Sequence, residues 1–131
     1  MTPSRSPFSY AVVRVVPDIE REEFVNAGLV LFCRSLRYLR ARTALDPHRL
    51  EAMQGEADVP AISQQLALVE RIADGDVTSG PLAAMSQSER FHWLTTPRST
   101  VVQPGPIHGG MTDDPAATFE HLYLTLVDRA V

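Results

Sequence analysis

The hydrophobic period changes once along this chain, and that change restricts the fold more than any other feature. Up to Thr43 apolar residues alternate with period two, the mark of strands; beyond Asp46 they recur at three and four, the mark of helices. Phe8 to Val16 carries two interleaved apolar sets, Phe8/Tyr10/Val12/Val16 and Ala11/Val13/Val15, as expected of a central strand covered on both faces. Pro17-Asp18 ends it. After a polar connection, Glu23 to Cys33 reads as a second long strand, with Gly28 marking a bulge or a close approach. Arg34-Ser35 turns the chain into Leu36 to Thr43, where Leu39/Ala41/Thr43 alternate with Tyr38/Arg40/Arg42, the pattern of an edge strand with one wet face.

Helix signals dominate the remainder. Asp46-Pro47 and Asp114-Pro115 each supply an N-cap and a first helical residue, and Gly55 is placed to stop the first of these helices. Pro60 to Asp74 aligns Ile62, Leu66, Val69 and Ala73 on one stripe and ends at Gly75. Ser86 and Glu89 have capping-box spacing ahead of a short helix over 87–94. Thr100 to Gln103 is β-prone and offers a fourth strand, whereas Pro104 to Gly110 reads as a loop. In the last helix Phe119, Leu122, Tyr123, Leu126 and Ala130 share a face that must pack on the sheet.

Strands first and helices later predict an α+β fold: an antiparallel sheet of three to four strands, an N-terminal meander, with helices packed on one side. We expect one domain over 1–131, made of a β-meander (8–43), a helical segment (46–94), and a short strand, loop and C-terminal helix (99–131). The 44% apolar and 21% charged content is ordinary for a globular chain. The longest apolar run, Ala27 to Cys33, is far too short to cross a bilayer, and Met1 to Pro7 leads into no signal-peptide core because Arg14 interrupts the apolar stretch. A cytoplasmic location without membrane contact is therefore expected. Cys33, the sole cysteine, sits in that apolar run as a core residue.

All 12 basic residues are arginine, unevenly spread: seven against four acids up to Arg42, then five against twelve. Arg98, Ser99 and Thr100 combine a guanidinium fork, two hydroxyls and successive loop amides, a candidate anion site that His108 could join if the loop folds back. Arg14, alone in an apolar strand, needs a partner if buried, and Glu22 or Glu23 is the nearest candidate. Arg34, Arg37, Arg40 and Arg42 could line a partner surface or simply protect an edge strand from pairing. The acidic cluster from Asp18 to Glu23 matches no metal-binding spacing; Glu89 and His92 have the spacing used in di-iron bundles, but those need several such helices and Glu89 already has a cap role; nucleophile or nucleotide motifs are absent, so no cofactor, metal or catalytic residue is assigned.

Three segments together carry a family likeness: Tyr10 to Asp18 (YAVVRVVPD), Arg21 to Gly28 (REEFVNAG), and Arg90 to Leu94 (RFHWL) followed by Pro97-Arg98-Ser99-Thr100 and His108. With them the chain resembles the bacterial family known as domain of unknown function 3037 over nearly its whole length; Arg14, Glu22 and Asn26 fall within the matching segments. The resemblance implies a bacterial protein with no assigned reaction, and a genomic association with kinases resembling the HipA toxin. The function expected is thus a non-catalytic interaction module for a protein partner such as a HipA-like kinase. A small phosphate-ligand-binding or phosphotransfer-type enzyme using Arg98 and His108 is the alternative. Nucleic-acid binding through the Arg34 to Arg42 hairpin ranks last, given the net negative charge.

Overall fold

A computed structural model of the protein describes residues 4–53 and 57–128. The first third forms the expected antiparallel meander of β1 (Ser6–Val15), β2 (Val25–Cys33) and β3 (Tyr38–Thr43). Helices α1 (Pro47–Met53), α2 (Val59–Asp74) and α3 (Gln87–Thr95) follow, then β4 (Val102–Pro104), β5 (His108–Thr112) and α4 (Pro115–Leu126). The strand order is β3-β2-β1-β4, with β5 also on β1, so β1 is central and the fold is α+β.

Local chemistry explains where the elements begin and end. Asp46, Asp58, Ser86 and Asp114 each accept a hydrogen bond from an amide of the helical turn that follows. Gly75 closes α2 at φ 73°, a conformation that costs glycine nothing. The proposed Gly55 stop lies outside the described residues. Gly28 is both a bulge neighbour and a close approach: the β1–β2 register slips between Val13 and Arg14, and a Cβ on Gly28 would meet Thr43 Cγ2 at 2.8 Å.

Two corrections concern the layers and the second sheet edge. The helices do not all lie on one side. Val13, Val15, Val30, Leu39 and Ala41 pack against Ile62 and Leu66 of α2 and Phe91 and Leu94 of α3, whereas Leu29 and Leu31 pack against Phe119 and Tyr123 of α4 on the opposite face. Consequently the face of β3 expected to be wet is partly covered: Arg40 and Arg42 lie over the Phe119 and Tyr123 rings at 4.8 and 4.4 Å, and both reach Glu120. The segment read as a loop resumes pairing at His108, because Pro104 and Pro106, which lack an N–H, interrupt the ladder without ending it. One extra residue is absorbed between β4 and β5, where Gly105 N–H still donates to Val12 O at 2.7 Å. Cys33 is fully buried.

Candidate functional site

The sequence proposed a corner built from Arg98, Ser99, Thr100 and His108, and the fold separates its members. Thr100 lies just before β4, whose Val102 faces Val15, whereas His108 faces Tyr10, five residues back along β1 and so about 16 Å away at strand spacing. The His108 ring rests 5.4 Å from that of Tyr10. Arg98 is committed elsewhere: it donates to the carbonyls of Trp93 and Thr96 at the end of α3, and its guanidinium lies 4.4 Å above the Trp93 ring. Its cation thus meets the unsatisfied carbonyl end of a helix, an arrangement favoured by the helix dipole. Thr100 Oγ1 donates to Val102 O and Gln103 Nε2 to Thr100 O, so much of this loop's polarity is spent within the loop.

The arginine strip is likewise divided. Arg34 and Arg37 belong to the β2–β3 turn, Arg37 at φ 54°, whereas Arg40 and Arg42 share Glu120 at 3.3 and 3.4 Å. A surface needing all four side chains for a phosphate backbone would have to break those pairs.

What the fold brings together is a different set. Arg14, Glu22 and Ser99 line one cleft of about 330 Å³ with Val16, Ile19, Phe24 and Gln103. Here a central strand places a guanidinium beneath a connection and beside the strand-like edge of β4, where Gln103 pairs directly with Arg14. The expected ion pair is absent. Glu23 pairs with Arg21, and among the described residues no carboxylate comes within 4 Å of Arg14. Instead the guanidinium is stacked: its carbon sits 4.0 Å from the Phe24 ring centre, and a Cβ on Gly105 would approach Cζ and Nε at 3.0 Å. Only glycine lets the backbone come that close. The Arg14 Nε is buried and has no hydrogen-bond partner among the described residues. Stacking recovers part of the desolvation cost of this cation, about 0.5–2 kcal/mol, and leaves the buried Nε–H without an acceptor among the described residues.

Glu22 faces the same cleft from a backbone held at φ 56°, which closes the 3-10 turn Ile19–Arg21 through its N–H to Ile19 O. The left-handed conformation costs a non-glycine residue about 1 kcal/mol, so the fold holds this carboxylate at the rim against a local preference. Asn26, paired with Arg14 across the β1–β2 bulge, serves another purpose: its Nδ2 donates to Leu126 O and ties the end of α4 to the sheet.

Arg14 lies in the first of the three sequence segments noted above, Glu22, Phe24 and Asn26 in the second, and Ser99 in the third. A family model described as protein of unknown function, DUF3037, matches residues 10–127. The chain belongs to the DUF3037 family. Comparison with curated proteins and with solved structures returns no match. Within this DUF3037 protein, the segments that carry the family likeness converge on the Arg14 cleft from three directions: β1, the connection into β2, and the loop after α3. Sequence reasoning missed Gly105, Gln103 and Phe24 as parts of it. Phe24 stood inside a family segment, but nothing in one dimension shows that its ring and the Gly105 backbone would both close on one guanidinium.

Arg90, from the same family segments, is structural. It is 9% exposed, and its guanidinium donates to the carbonyls of Ile72 and Ala73 at 2.9 and 2.7 Å and to Met85 at 3.0 Å, capping the end of α2.

Proposed function

We propose that this DUF3037 protein is a non-catalytic interaction module, and that an anionic group of its protein partner seats on Arg14. The observation that supports this is the stacked guanidinium itself: a partly buried cation, without a carboxylate partner among the described residues, lining a cleft that also offers Ser99 and Gln103. A guanidinium crowded by a ring and a close backbone loses little further entropy when an acid binds, which favours affinity through preorganisation. The separation of Arg98 from His108 weighs against the phosphotransfer alternative, because a proton-moving imidazole must reach the group that the arginine neutralises. A HipA-like kinase as the partner is part of the proposal and rests on the family resemblance alone.

The test is an amide NMR titration of the 15N-labelled protein with acetate and with inorganic phosphate. At least one should shift the Arg14, Ser99 and Gln103 signals, and Arg14→Met should abolish the shifts while leaving the remaining spectrum in place. Absence of any such shift in the wild type would reject the proposal. Co-purification with a HipA-like kinase, lost with Arg14→Met, would identify that partner; a kinase that co-purifies equally well with the variant would remove Arg14 from the contact.

A further inference from the structure

The contents of the Arg14 cleft restrict the anion further, on the premise that the cleft is the docking site just proposed. Its lining contains one cation and one carboxylate, Arg14 and Glu22, so an entering group meets almost no net charge. A dianionic phosphate prefers several converging cations or a run of backbone amides, and neither lines this cleft. A monoanionic carboxylate needs only one guanidinium edge. Beside that edge the rim is apolar: Ile19 is 45% exposed, and Phe24, with the Arg14 guanidinium against its ring, is still 44% exposed, next to buried Val16. A volume of about 330 Å³ stands at the small end for ligand clefts and suits one residue-sized group.

We infer that the cleft reads the C-terminal residue of a partner chain: its terminal carboxylate on Arg14, its aliphatic side chain on Ile19 and Phe24, and its backbone N–H toward Glu22. A terminal residue carries an anion, an apolar group and a donor on a single Cα, so one residue supplies a complement to all three parts of the lining. An internal aspartate has its own carboxylate on the side chain and must borrow an apolar group from a neighbour. Glu22 also gives the site a means of rejecting more acidic ligands, since a second negative charge would face its carboxylate.

Isothermal titration calorimetry with short acetylated peptides tests this. Acetyl-Ala-Ala-Leu with a free carboxylate should bind about tenfold more tightly than acetyl-Ala-Ala-Gly, the ratio expected when roughly half of a leucine side chain leaves water. Its C-terminal amide and acetyl-Ala-Asp-Leu-amide should bind at least tenfold more weakly. Ile19→Ala changes an exposed side chain that does not touch the guanidinium and should shrink the leucine preference while leucine binding stays measurable, whereas Phe24→Ala also removes the ring against Arg14 and should weaken the leucine and glycine acids alike. Arg14→Lys and Arg14→Met should weaken the acid peptide and leave the amide unchanged. Equal affinity for the leucine and glycine acids, or for acid and amide, overturns the inference. Inorganic phosphate binding more tightly than the leucine acid, still dependent on Arg14, also overturns it while leaving Arg14 as an anion anchor; loss of every Arg14-dependent response would reject the anchor itself.

Discussion

Two arginines of this protein, Arg90 buried and Arg14 partly so, have no acid within ion-pair distance among the described residues, and they solve the problem differently. Arg90 spends its donors on the last carbonyls of α2 and on Met85. Replacing it by methionine keeps much of the volume but leaves the Ala73 and Met85 carbonyls without the guanidinium and Ile72 O with the Gly75 N–H alone, so Arg90→Met should lower stability by about 2–3 kcal/mol in urea denaturation. Arg14 instead relies on the Phe24 ring and on the bare backbone at Gly105. Gly105→Ala should therefore separate two properties. The guanidinium is the far end of a flexible side chain and can move aside, so stability should change by less than about 1 kcal/mol, but anion binding at the cleft should fall with the displaced cation, as the same NMR titration would record. A large loss of stability with unaltered binding would mean that Gly105 serves the chain path rather than the arginine.

Among the elements, α4 has the largest share in deciding which surfaces exist. It fills the sheet face opposite α2 and α3 with Phe119, which is fully buried, and with Tyr123, and it supplies Glu120 to two arginines of β3. Those ion pairs are close to half exposed and add little stability; the aromatic ladder matters more. Burial raises the pKa of Tyr38 and of Tyr123 above 10.0, opposed in each case by a nearby arginine, Arg40 or Arg42. The unfolded chain would release those protons first, so the stabilisation is complete below about pH 10 and fades as pH climbs through the raised folded values. Melting temperature should fall between about pH 9.5 and 11, and Tyr123→Phe should flatten part of that fall, because arginine keeps its charge throughout. Tyr38→Phe should flatten it too at little cost at neutral pH, since the buried Tyr38 hydroxyl has no hydrogen-bond partner among the described residues.

For the whole molecule, the sheet is unevenly supported. β1 and β2 are paired on both sides and sandwiched between helices, whereas β5 touches β1 along one edge and is exposed at His108, Gly109, Gly110 and Met111. Native-state hydrogen exchange should show β1–β2 amides opening only with global unfolding and β5 amides opening well below that free energy. Uniform protection across β5 and β2 would indicate cover on β5 that the folded chain does not provide. The Arg14 cleft lies toward the other end of β1, where β4 and the connection into β2 meet, so local opening of β5 should leave it intact.

Periodicity and caps determined most of the elements on their own, because both depend on residues within a turn or two of each other: the meander, the capped starts of α1, α3 and α4, and the buried stripe of α2 follow from local spacing. The resumption of pairing at His108 was hidden, since two prolines and three glycines suppress local strand propensity and only β1 alongside supplies the ladder. Which face α4 would cover, and hence that Arg40 and Arg42 would be taken up by Glu120, depends on a helix eighty residues further on. The candidate site divides the same way. Arg14 stood out in the sequence as a cation in an apolar strand, but its expected partner did not form and the Arg98–His108 corner came apart, because proximity between loops is set by strand register, which no spacing along the chain records.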